Sequence, residues 1–182
     1  MTVLRSQSAA QALRVNRGRK VEDRVEEIHE GYAFAQHARL YRAHPGVRAG
    51  RIVSPQGPDF SGFLVASGRH VFVEVKGILS GGLSLPRPGF TPSGEPRTGA
   101  FTPEEIVRLR ACHEAGGLAV VLVVHGPLAA ASWCPVPWAL IEAAIEADTP
   151  SLTEARLLAR RCAPLGYLRA AEHADRNLWR AA

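Results

Sequence analysis

The run Leu118 to Val124 is the longest uninterrupted apolar stretch in the chain. Its length suits a strand, and a strand apolar at every position has to be covered on both faces, as in the interior of an α/β sheet. A membrane-spanning helix needs about 18 or more such residues, so no span is expected. The N-terminal residues carry Arg5, Arg14 and Arg17 without the apolar core of a secretory signal, which points to a cytoplasmic protein. Cys112, Cys134 and Cys162 make no C-x-x-C pair and are read as reduced structural residues, not as zinc ligands.

The flanking pattern predicts an α/β fold, a mixed β-sheet flanked by helices. Val21, Val25, Ile28, Tyr32 and Ala35 repeat at helical spacing, predicting a helix from Lys20 to about Ala43 that His44-Pro45-Gly46 ends. Arg51 to Ser54 reads as a short strand. Phe60 to Val65 and His70 to Val75 read as a hairpin around the four-residue loop Ala66-Ser67-Gly68-Arg69. Gly77 to Thr102 is rich in Gly, Pro and Ser and reads as a long irregular loop, functional or disordered. Thr102-Pro103-Glu104-Glu105 opens a helix to about Ala115, and Gly116-Gly117 closes it. Trp133 to Val136 reads as a short edge strand and Pro137 to Ala147 as a helix. Ser151-Leu152-Thr153-Glu154 reads as a capping box before a last helix to about Cys162. The expected organisation is a basic arm over residues 1–19 and one domain over 20–182. Trp133, Trp138 and Trp179 read as core anchors.

Twenty-two basic residues against 17 acidic leave a formal charge of +5 and a pI near 9.6, which favours polyanionic partners. Residues 1–20 hold Arg5, Arg14, Arg17, Arg19 and Lys20 with no acid. Lysine occurs only at positions 20 and 76, so Lys76 stands out inside a strand of an otherwise arginine-rich chain.

Within Phe72 to Lys76 the side chains alternate, so Phe72, Glu74 and Lys76 share one face and Val71, Val73 and Val75 the other. With Val65 opposite His70, the ladder sets Ser61 opposite Glu74 and Asp59 opposite Lys76, all on one face. Diagonal neighbours lie about 7–8 Å apart, a gap that two extended carboxylates can share around Mg²⁺ at about 2.1 Å per oxygen. Asp59 and Glu74 as metal ligands beside the Lys76 ammonium are the groups that phosphodiester hydrolysis requires. The plainer account of Glu74 and Lys76 is a solvated hairpin face, but three valines and a phenylalanine leave this strand little polar surface. Glu22, Glu26 and Glu30 line up on the first helix beside its apolar stripe, and Glu22 is a candidate third acid. No H-E-x-x-H and no G-x-x-x-x-G-K-[ST] occurs, against a zinc hydrolase and a P-loop ATPase.

Four short segments then resemble, in order, the PD-(D/E)xK nuclease superfamily and within it the RecU-type Holliday-junction resolvases of bacteria and their phages. Arg17-Gly18 with Val21-Glu22 and Tyr32 is similar to the family's opening helix. Pro58-Asp59-Phe60-Ser61-Gly62 and Phe72-Val73-Glu74-Val75-Lys76 are similar to its two active-site strands, and Gly116-Gly117-Leu118-Ala119-Val120 to its next strand. The resemblance implies a restriction-endonuclease-like core and a homodimer that resolves four-way junctions. It implies Glu22, Asp59 and Glu74 at a Mg²⁺ site that also accepts Mn²⁺, with Lys76 as the catalytic lysine. Where the family has a Gln opening the helix after the E-x-K strand, this chain has Glu104 and Glu105. Arg14, Arg17, Arg19, Lys20, Arg87 and Arg97 are the expected DNA contacts. The implied setting is the cytoplasm of a bacterium or of a phage's host. Another nuclease of the superfamily and a non-catalytic DNA-binding module are the alternatives.

Overall fold

The computed structural model describes residues 9–43, 46–48, 51–53, 58–87, 89, 94 and 97–181, with side chains for 18–43, 58–87, 89, 94 and 97–177. Helix α1 (Ala9–Phe34) is followed by strands β1 (Ala38–Arg42), β2 (Gly46–Arg48), β3 (Arg51–Val53), β4 (Phe60–Leu64), β5 (His70–Ile78) and β6 (Leu83–Ser84). Helix α2 (Pro103–Glu114), β7 (Leu118–His125), β8 (Ser132–Pro137), α3 (Trp138–Glu146), β9 (Ser151–Leu152), α4 (Glu154–Leu158) and α5 (Tyr167–Ala181) complete the order. Five strands form a mixed sheet in the order β1-β4-β5-β7-β8, in which only β5 and β7 run parallel. The pairs β2-β3 and β6-β9 stand apart from it.

The sheet separates two apolar layers. Val21, Val25, Ile28 and Tyr32 of α1 and Tyr167, Leu168 and Ala171 of α5 pack on Phe60, Leu64, Val71, Val73, Val120 and Leu122. On the other side Leu109 and Cys112 of α2, Trp138 and Ile141 of α3 and Leu157 of α4 pack on Val121, Val123, Cys134 and Val136. Every residue of β7 is buried, as its unbroken apolar run requires. Helix α2 begins as expected, with Thr102 accepting from the Glu105 amide and the Glu105 side chain accepting from the Thr102 amide. The three cysteines are free, and Trp133 and Trp138 are buried. The side chain of Trp179 lies outside the described residues.

Several expectations are corrected. The first helix covers Ala9–Phe34, so it already includes residues 9–19 of the expected arm, and it stops at Phe34, not at Ala43. Its end is a Schellman turn, with the His37 amide on the Tyr32 carbonyl, the Gln36 amide on the Ala33 carbonyl and Gln36 at φ 52°. Glycine usually holds that left-handed position, so a glutamine there left no trace in the residue pattern. Ala35 is exposed, and Ala38–Arg42 is an antiparallel edge strand on β4. His44, Pro45 and Ser54 lie outside the described residues. Segment 77–102 is not wholly irregular: β5 runs on to Ile78, β6 pairs with β9, and Leu83, Leu85 and Phe101 enter the second layer. At the C-terminal end Thr153, not Ser151, caps a helix that stops at Leu158. The further helix α5 was not foreseen. Its buried Asp175 pairs with Arg69 at 2.6 Å, and Arg69 also donates to the carbonyls of Gly116 and Gly117.

The β4-β5 register is also corrected. Phe63, not Val65, lies opposite His70, and Ser61 lies opposite Phe72. The turn is closed one residue earlier than expected, by the Gly68 amide on the Leu64 carbonyl and the Leu64 amide on the Arg69 carbonyl, with Gly68 at φ 65°. Moving the turn by one residue moves the register by two, and two is the side-chain period of a strand, so no side chain changes face. At Gly62 a Cβ would stand 1.8 Å from the Arg39 carbonyl oxygen of β1. Gly62→Ala is expected to destabilise the fold by about 1–3 kcal/mol, read as a fall of several degrees in thermal midpoint by calorimetry. An unchanged midpoint would contradict this strand pairing.

Candidate active site

Strand β5 outruns β4 beyond Val73, and its Val75 amide loses a main-chain partner there. The Asp59 carboxylate takes that place, accepting from the Val75 amide at 2.7 Å. This hydrogen bond fixes Asp59 at the mouth of β4, level with Glu74 when the observed register is continued by one residue. Glu74 is 4% exposed. The Lys76 ammonium donates to Glu74 Oε1 and to Glu105 Oε2, both at 2.8 Å, and lies 5.3 Å from the centre of the Phe101 ring. Phe72, Glu74 and Lys76 share a face as alternation demands, and that face is the one α2 covers.

Glu105 is the residue that the strand pattern did not single out. Of the two acids opening α2, Glu104 is exposed and Glu105 reaches Lys76. The signal lay in the spacing Thr102-x-x-Glu105, because the third residue of a capping box turns its side chain back past the helix start, here toward the end of β5. Glu22 approaches from α1 but is ion-paired to Arg42, which also binds Asp23 at 2.7 Å and Glu26 at 3.2 Å. Arg42 belongs to the edge strand that the expected helix had absorbed, so its role was not visible in the sequence.

Burial and charge crowding act together here. Burial first, and then the nearby Asp59 charge, push the Glu74 carboxyl up to about 8, against the opposing pull of Lys76. Burial raises Asp59 to about 6, with Glu22 and Glu105 adding to the rise while the Val75 amide and Lys76 oppose it. Lys76 is pushed down by burial, but its two carboxylate partners win and hold it above the ordinary lysine value. Asp59, Glu74 and Glu105 thus crowd around one ammonium.

Asp59, Glu74 and Lys76 are therefore brought to one place, while Glu22 is not in contact with them and is paired to Arg42. Among the described residues no three His, Cys, Asp or Glu side chains are set to hold a metal ion as they stand. Glu22 on Arg42 and Glu105 on Lys76 are committed elsewhere, so a third carboxylate ligand requires one of these pairs to open. The chemistry of the set still suits a hard dication, since surplus carboxylates in a desolvated place are what such an ion neutralises. Arg19 and Lys20 are exposed on α1. Arg14 and Arg17 fall on the same helix, with side chains outside the described residues. Arg87 and Arg97 are exposed and their main chains meet, the Arg87 amide donating to the Arg97 carbonyl at 2.8 Å. No family model and no curated protein matches the chain.

The raised carboxyl values link stability to pH. Between the ordinary glutamate value and about 8 the folded chain holds a proton on Glu74 that the unfolded chain has released, and Asp59 does the same up to about 6. At these two groups the native state then binds more protons, so the stability they contribute is fullest at low pH and falls as pH rises through this window, while buried His29, pushed down to about 3, acts in the opposite sense below its ordinary value. In EDTA the thermal midpoint is expected to drop from pH 5 to pH 8, and Glu74→Gln is expected to flatten most of that drop. A midpoint that varies with pH in Glu74→Gln as it does in the wild type would contradict the assignment.

Proposed function

We propose that the chain is a divalent-cation-dependent DNA endonuclease acting on branched DNA, in the manner of the Holliday-junction resolvases it resembles. The observation that carries the reading is the meeting of Asp59, Glu74 and Lys76 at one end of β5, with both carboxyls resisting ionisation. Asp59 and Glu74 would hold Mg²⁺ or Mn²⁺, with Glu22 as a third ligand once released from Arg42. The bound ion would supply Lewis acidity to the phosphoryl group. Lys76, held above its ordinary value, stays an ammonium and acts as a charge and hydrogen-bond donor to the phosphate or the attacking water, not as a base. Glu105 keeps that ammonium in place. A homodimer follows from the reading, since paired symmetric cuts need two sites.

Four-way junction, duplex and flap DNA, each with Mg²⁺ or EDTA, form the test. Junctions are expected to be cut with the metal and untouched in EDTA. Cutting of duplex as fast as junction would favour another nuclease of the superfamily. Binding without cutting of any substrate would leave a non-catalytic DNA-binding module. Asp59→Asn and Glu74→Gln are each expected to slow cleavage by at least about 100-fold while junction affinity holds or rises, because a negative charge has been removed beside a phosphate. Lys76→Arg is expected to be severely impaired, a planar guanidinium being a poor substitute for a compact ammonium.

The basic residues have their own readout. Replacing Arg14, Arg17, Arg19 and Lys20 together by Gln is expected to flatten log affinity against log salt by about 3–4 on duplex arms, at about 0.9 per phosphate contact. An unchanged slope would remove this segment from the DNA interface.

A further inference from the structure

The strand register places a second feature on the sheet face that carries Asp59 and Glu74. Arg39, Phe63 and His70 form one row across β1, β4 and β5, and Tyr41, Ser61 and Phe72 form the next. The row after that is Asp59 and Glu74. Helix α2 packs on β5 and β7, and toward β1 the face opens. Tyr41 is 65% and Phe63 41% exposed. Arg39 and His70 are exposed as well, and Phe72 is half-buried with its ring 4.7 Å from that of His70, edge to face. None of these six residues is acidic.

We infer that this face is a stacking platform for unpaired bases of the DNA strand being cut. The inference rests on the nuclease reading and names the form of substrate that reading takes. Rows on one face of a strand lie about 7 Å apart and neighbouring strands about 4.8 Å apart, so the rings span room for one or two bases, with Tyr41 one row and Phe63 two rows from the acid pair. A base on Tyr41 lies one row from Asp59 and Glu74, and a base on Phe63 is the next along the same strand of DNA. Rings on an open sheet accept any base by its π-face, while Arg39 complements the phosphates. A second copy of this chain fits less well, because a two-fold contact would set this acid-free patch against itself. Paired bases are stacked inside the duplex and cannot reach the rings; bases of a flap, or of a pair opened at a branch point, can. Trp133 and Trp138 do not take this role, since both are buried.

The test uses the full chain in EDTA, so that binding is read without cleavage. The probes are an oligothymidylate of about 20 nucleotides and a closed duplex hairpin of equal length. Tyr41→Ala and Phe63→Ala are each expected to weaken oligothymidylate binding by about 10-fold and hairpin binding by less than about twofold, while Tyr41→Phe keeps wild-type affinity. Circular dichroism verifies that the variants fold. No binding of oligothymidylate by the wild type, an unchanged affinity in the double alanine variant, or equal losses on both probes would overturn the platform. So would a double variant that changes only its sedimentation, which would mark a self-association surface instead. A chain that cuts junctions but ignores the loss of both rings refutes the platform alone. One that cuts nothing, yet loses oligothymidylate affinity with the rings, refutes the nuclease reading alone.

Discussion

The parallel ladder between β5 and β7 is the constraint on which the rest of the molecule depends. Strand β7 is apolar at every position and buried along its whole length, so whatever pairs with it is drawn into the interior. The ladder runs from Val71 opposite Leu118 to Ile78 opposite His125, and it carries Glu74 and Lys76 with it. Val71, Val73 and Val75 then join the layer built by α1 and α5, and Phe72 joins the layer under α2. A carboxylate and an ammonium are left at the margin of that second layer. Without this pairing the same residues would be a solvated strand face.

Desolvation then sets the chemistry. In water these carboxylates would be unremarkable; beside a packed helix, each competes for the little cationic charge available. Lys76 is shared between Glu74 and Glu105, and Arg42 is shared among Glu22, Asp23 and Glu26. Asp59 is held by a main-chain amide, not by a cation. The outcome is an acid pair that resists ionisation and an ammonium that resists neutralisation. That division of roles matches what a phosphodiester-cleaving site asks of its side chains.

Residue pattern and tertiary structure divide the account along physical lines. Local periodicity carried the strands read over 60–65 and 70–75, the buried run over 118–124, the capped start of α2 and the shared face of Asp59, Glu74 and Lys76, though not the extension of β5 to Ile78. Face identity survived an error in register because the turn shifted by one residue and the ladder by two. Periodicity failed where a glutamine occupied the left-handed position after Phe34, hiding both the end of α1 and the edge strand beyond it. It was silent on α5, whose buried Asp175 makes sense only once Arg69 reaches it from the hairpin.

The sequence by itself determined which residues can carry chemistry and which side of each strand they occupy, because both follow from residue type and from the two-residue period of extended backbone. It also determined that the central strands must be covered on both faces, since no other arrangement hides so long an apolar run. Only the tertiary structure decided which acids meet. Glu105 comes to Lys76 because the helix start lies over the end of β5, and Glu22 comes to Arg42 because an edge strand returns beside the first helix. Which carboxyls are lifted, and that Tyr41 and Phe63 remain uncovered, depends on what packs above each position. That is a sum over distant segments, and no local pattern contains it.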